Sequence, residues 1–250
     1  MPASEWTIEA PANLEFDDVT GLRVRLIAGS VAVLATTGKP SLEVSSVEGD
    51  PLTVTYEDGI LTVAHENLNW EGLLKWLRPQ RHAATVTVSV PRKCQAQVGV
   101  VSATAVMSGI SARASVKSVS GGITLDGVTG DVDANTVSGT VEAQGINGKL
   151  NFNTVSGEVM LRLPAEADAR VNLHSVSGDV RSEFAELRRS SAPASRSVSG
   201  NLGAGSGQVS VTTMSGRVVL LRRAGRGTAP QDVRADEQPD NGSEMEGEAS

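Results

Sequence analysis

From Ala103 onward the apolar and polar positions recur every nine residues. The third position of each nonapeptide reads Ala105, Ala114, Ile123, Val132, Val141, Leu150 and Val159. The fifth reads Met107, Val116, Leu125, Ala134, Ala143, Phe152 and Leu161, and the eighth reads Ile110, Val119, Val128, Val137, Ile146 and Val155. Every one of these is apolar, so all three positions are expected on the buried side. The second position is mostly polar (Arg113, Asp131, Lys149, Glu158), as is the sixth (Lys117, Asp126, Asn135, Asn153). Apolar residues two apart with polar neighbours mark a short strand with one buried face, a pattern that a helix of 3.6-residue period does not produce.

The seventh position separates two kinds of nonapeptide, because it alternates Gly109, Ser118, Gly127, Thr136, Gly145, Thr154. One turn carries glycine, which takes positive φ without steric cost. The other carries Ser or Thr, whose hydroxyl bonds nearby backbone. Two unlike turns make one coil of 18 residues. The pattern predicts an all-β fold, a parallel β-solenoid of about six to seven such coils, each stacked on the one before it. The tripeptide Val-Ser-Gly marks the Ser turns at Val119, Val137, Val155, Val176 and Val198, with Met214-Ser215-Gly216 as a variant. Pro164 opens an insertion of three residues, after which the frame resumes with Val171, Leu173 and Val176. A degenerate unit begins at Ser191, with Pro193 at a core position, and another begins at Gly207.

The first third of the chain reads as strands at Leu22–Ile27, Val31–Ala35, Leu42–Val47, Leu52–Tyr56, Ile60–Ala64 and Ala84–Val90, with Asp58-Gly59 as a hairpin turn. A short helix is expected over Asn69–Leu77, with Asn69 as N-cap and Pro79 closing it. Residues 1–91 are thus expected to form a β-rich cap continuous with solenoid repeats over 92–222, because an open terminal coil would present unpaired strand edges. Residues 223–250 lack periodicity and are expected to be a disordered acidic tail.

Composition changes this picture in three places. The formal charge of −7 lies in the tail, where Asp232–Ser250 carries seven carboxylates against one arginine, leaving −1 for residues 1–231. Nothing supports a nucleic-acid partner, which calls for a basic face. The single cysteine, Cys94, excludes an internal disulfide or a multi-cysteine metal site, and three histidines without ligand spacing point to no metal or other cofactor. The N-terminus shows no basic region followed by an apolar run, and the longest apolar stretch falls well short of a membrane span. A cytoplasmic protein is therefore expected, with peripheral envelope association as the alternative.

The strand Thr85-Val86-Thr87-Val88-Ser89-Val90-Pro91 and the repeat running from Ser118 through Gly121-Gly122, Gly127 and Gly130 to Val132 resemble the bacterial β-strand-repeat proteins grouped as DUF4097 and labelled adhesins. The pattern covers roughly residues 20 to 222, and Trp70-Glu71-Gly72-Leu73-Leu74-Lys75-Trp76 is similar to actinobacterial members. The resemblance implies a parallel β-solenoid and carries no catalytic motif.

Candidate chemistry is sparse. Lys117, Asn135, Asn153, His174, Arg196 and Thr212 share the sixth position of successive Ser-bearing units. They form either a ligand-binding stripe or stacked turn residues that satisfy backbone groups. Asp131, Asp133 and Glu142 are the carboxylates that a polysaccharide-cleaving face would use, or else a solvated charged surface. His174-Ser175 with Asp179 has triad residue types without a nucleophile elbow. Trp70, Leu73, Leu74, Trp76 and Leu77, followed by Arg78 and Arg81, suit a cap helix or a membrane or partner contact. Cys94 has no basic neighbour to activate it. Together these predict a non-enzymatic scaffold or adhesin-like interaction protein, with a protein or cell-envelope partner. The alternatives are a self-assembling scaffold, a homo-oligomer by end stacking, and a carbohydrate-active enzyme.

Overall fold

The computed structural model describes residues 4–65, 82–192 and 195–223. Among these residues every regular element is a strand, and the strands number 20 in chain order. They form two faces of one flattened coil. Across the first face the order is β1 (Ser4–Ile8), β5 (Leu52–Glu57), β6 (Ile60–His65), the first half of β3 (Gly21–Thr36), the first half of β8 (Gln95–Ser108), β9 (Ala114–Ser118), β11 (Val132–Thr136), β13 (Lys149–Thr154), β19 (Gly207–Thr213), β15 (Ala169–Ser175), β18 (Ser195–Leu202) and β17 (Arg188–Ala192). Across the second face it is β2 (Ala12–Glu15), β4 (Ser41–Glu48), β7 (Ala83–Pro91), the second halves of β3 and β8, β10 (Ile123–Asp126), β12 (Val141–Gln144), β14 (Glu158–Pro164), β20 (Arg217–Arg223) and β16 (Val180–Ser182).

In the regular coils each residue pairs with the one 18 later, as Val132 with Leu150 and Ile123 with Val141. The third and fifth positions are buried as expected, and the core lies between the two faces. Phe152, 1% exposed, is the largest of these side chains and stands in register with Ala134, a small neighbour that leaves room for a ring. Gly109, Gly127 and Gly145 take φ of 76°, 62° and 61°, as the glycine turns require.

The stacking order departs from chain order at both ends. The coil β19–β20 inserts between β13–β14 and β15–β16, so Leu150 and Val171 both pair with Val209, and Val159 and Val180 both pair with Val218. At the other end β3 lies between β8 and the coil β6–β7. All these pairings are parallel. Antiparallel strands then close the stack: β5 and β4 on one end, β18 on the other.

β18 corrects the frame. Val198-Ser199-Gly200 forms no turn, because it lies within this antiparallel strand with Val198 buried opposite Leu173. Met214-Ser215-Gly216 occupies the turn position instead. Two strands absent from the sequence reading, β1 and β2, carry Trp6 and border Phe16, which packs edge-on to Trp6 and tilted on Tyr56. The Tyr56 hydroxyl donates to the Asp18 carbonyl. The helix expected at Asn69–Leu77, Pro193 and the acidic tail lie outside the described residues, and the described residues contain no helix.

Candidate functional site

At the corner leading from the first face to the second, inward residues alternate through 114, 116 and 118, so the hydroxyl position is buried and the next residue points out. Ser118, Thr136, Thr154, Thr213 and Ser175 each accept the amide of the glycine three residues on, at 2.8–3.0 Å. That glycine sits on the carbonyl of the coil beneath: Gly139 on Gly121, Gly157 on Gly139, Gly216 on Gly157 and Gly178 on Gly216. A Cβ at any of these positions would overlap the carbonyl oxygen.

The eighth position is therefore split. At the glycine turns Ile110, Val128 and Ile146 are buried, because a positive-φ glycine shifts the in–out alternation by one residue. At the Ser/Thr turns no such shift occurs. Val119, Val137, Val155, Met214 and Val176 stand 46, 47, 42, 59 and 45% exposed, against the expectation that all eighth positions are buried. Amide bonds from Val137 to the Ser118 carbonyl, from Val155 to that of Thr136, from Met214 to that of Thr154 and from Val176 to that of Thr213 stack them in one row. At about 4.8 Å per strand the row is about 19 Å long. The neighbouring serines, Ser120, Ser138, Ser156, Ser215 and Ser177, turn their hydroxyls back onto carbonyls of this row or of Val101.

The polar ladder lies on the first face next to that row. Its spatial order is Lys117, Asn135, Asn153, Thr212, His174. Asn153 donates its amide to Asn135 at 3.1 Å. Arg196 is not a member. It lies on antiparallel β18 opposite Ser175, and its guanidinium donates to the Gly178 carbonyl at 2.7 Å. His174 faces outward in register with Thr212, whereas Ser175 is buried with its hydroxyl bonded to Gly178 and Gly216. That pair cannot act as base and nucleophile. Asp179 is taken by Arg181 at 2.6 Å, which holds its carboxyl below the usual range.

Asp133 lies on β11 of the first face with Asp131 just before that strand, and Glu142 lies on β12 of the second. The core separates them, so this trio does not assemble. Asp133 pairs with Arg113 at 2.8 Å. The Cys94 thiol is buried, and desolvation, aided by Asp18, raises its pKa to about 11. No group of three potential metal ligands occurs among the described residues. His65, absent from the sequence argument as a core residue, is 2% exposed with neither ring nitrogen hydrogen-bonded. The His82 ring is 6.4 Å away, and its Nδ1 accepts the Asp50 amide. Nothing in the strand pattern separates such a histidine from a surface one.

Residues 93–220 match the family model described as Toastrack DUF4097. The chain belongs to the DUF4097 family. Among solved structures the fold is similar to a "putative cell adhesion protein" from Clostridium sporogenes, at 12% identity and a TM-score of 0.50, over 85% of this chain and 100% of that one. A "putative lipid binding protein" from Parabacteroides distasonis aligns at 14% identity and 0.34, over 85% and 97% of the two chains. A "putative adhesin" from Bacteroides fragilis aligns at 8% identity and 0.31, over 88% and 97%. No curated protein matches the chain. The DUF4097 solenoid is thus the fold of this chain.

Proposed function

We propose that this DUF4097 chain is a non-enzymatic scaffold that presents the apolar corner to a protein partner. The observation that carries the reading is the row Val119–Val137–Val155–Met214–Val176, five adjacent exposed apolar side chains at the same turn position in successive coils. A soluble solenoid gains nothing by exposing the same position in coil after coil. The backbone amides along the row are already bonded to the coil beneath, so recognition here is by side-chain packing and not by strand addition. An amphipathic helix suits such a row, because its apolar residues recur every turn, about 5.4 Å, close to the 4.8 Å pitch of the coils.

A photo-crosslinking side chain at Val137 tests the reading. Adducts to a discrete protein are expected, and they should disappear when Val119, Val155 and Met214 are changed to Ser in the same chain. The same crosslinker at Asp126, on the opposite face, should give none. Adducts that are equal at both positions, or that persist in the triple variant, would remove the corner as an interaction surface. Adducts only to lipid would replace the protein partner with an envelope surface.

A further inference from the structure

On the outer side of the first face Arg25, Gly99 and Lys117 stand in register on β3, β8 and β9, with Arg23, Gln97 and Ser115 forming the next row. Together they line an open depression of about 300 Å³. This is the lower end of the size range for small-ligand sites.

Gly99 has no reason in the fold. Its φ is not in the left-handed region, and a Cβ there would meet nothing nearer than the Val24 carbonyl at 3.9 Å. The corner glycines, by contrast, are each forced by a carbonyl beneath them. A glycine inside a strand weakens it, and an unforced one marks a place where a ligand or another backbone can approach the chain closely. The walls of this gap are cationic. Arg23, Arg25 and Lys117 make no ion pair with any described residue, whereas Arg113, Arg162, Arg181, Arg217 and Arg222 each have a carboxylate partner. The outward carboxylate on the next strand, Asp133, is already held by Arg113. With strands about 4.8 Å apart, Arg25 and Lys117 flank the gap at a Cα separation of about 10 Å, a span that two long cationic side chains close over one oxyanion.

We propose that this depression binds a phosphate-bearing anion. The phosphate sits over Gly99, between the Arg25 guanidinium and the Lys117 ammonium, and Arg23 and Gln97 hold the rest of the charged group. Three unpaired cations favour a multiply charged phosphate over a single carboxylate, and a guanidinium fork matches two phosphate oxygens. The inference is independent of the apolar corner.

Titration calorimetry of the full chain with pyrophosphate, and co-sedimentation with phosphatidylglycerol vesicles, test the site and separate a free phosphate from a lipid headgroup. Saturable, salt-sensitive binding of one probe is expected, weakened about tenfold or more in Arg25→Gln/Lys117→Gln, since each charge-assisted contact contributes on that scale. Gly99→Val keeps the net charge and should weaken binding comparably at an unchanged melting temperature. Arg170→Gln, on the same face but remote from the depression, should bind as the parent does. Binding of neither probe, or a loss that Arg170→Gln reproduces, would overturn the site. Full affinity in a folded Gly99→Val would do the same. If that variant does not fold, the double glutamine variant decides alone.

Discussion

At the residue scale the fold depends on a few positions where chemistry leaves no alternative. Phe152→Asp places an unpaired carboxylate between the faces, which costs several kcal/mol and should unfold the middle coils. Asn135→Ala removes one exposed amide bond and should cost about 1 kcal/mol. Equal melting shifts for the two would contradict the inward and outward assignments. Gly139→Ala is the sharpest small change. The added methyl overlaps the Gly121 carbonyl, so a substitution that is normally mild in a turn should lower the melting temperature more than Asn135→Ala does. His65 adds a pH dependence. Burial, with His82 adding to it and Asp50 opposing, holds its pKa below the ordinary imidazole value of about 6.5. The unfolded chain therefore binds the proton more readily, and stability is complete above about pH 6.5 and falls as the pH drops below it. Denaturant titrations from pH 8 to 5 should show that loss, and His65→Phe should flatten it.

At the element scale the informative unit is the inserted coil β19–β20. Its strands supply both neighbours with their parallel partner, so among the described residues no other strand pairing holds β15–β16 to the stack on that side. The loop that delivers it is fixed by Asp168, whose carboxylate accepts the amides of Gly205 and Ser206 and the Ser206 hydroxyl. These bonds hold the Asp168 carboxyl below its ordinary pKa, so the latch is intact at neutral pH and weakens as acid protonates it. A chain ending at Ser206 should lose more than one coil's worth of structure. It exposes the edges of β13, β14, β15 and β16 together, and size-exclusion chromatography should show aggregation in place of a shorter monomer. The strand periodicity was legible in the sequence from residue 103 onward, and so was the hairpin at Asp58-Gly59. The insertion order was not. Val171 and Val209 occupy equivalent repeat positions, and a repeat does not encode which copy is its neighbour.

At the scale of the whole molecule, antiparallel strands close both faces of the stack at the N-terminal end and the first face at the other, and the outer edges of the first face carry charge. β17 is exposed throughout and contributes Arg188 and Arg189, and β1 contributes Glu5. Charged edges oppose further strand pairing, which weighs against growth by end stacking. Arg188→Val/Arg189→Val should remove that protection. Sedimentation velocity is expected to show concentration-dependent association in the variant and not in the parent, and association of both to the same degree would contradict the role given to these arginines.

The sequence by itself determined the coil, its 18-residue length, its two turn types and the buried third and fifth positions, because these follow from local alternation and from the backbone demands of Gly, Ser and Thr. It also placed Lys117, Asn135, Asn153 and His174 on one outward ladder. Only the tertiary structure decided that Arg196 leaves that ladder, that Asp133 and Glu142 lie on opposite faces, and that Val119 and its equivalents are exposed. The same holds for the gap at Gly99, flanked by Arg25 and Lys117. The physical reason is common to all four. Each depends on which strand lies beside which and on how a turn carries the in–out alternation around a corner, and both are set by long-range stacking, not by the residues within one repeat.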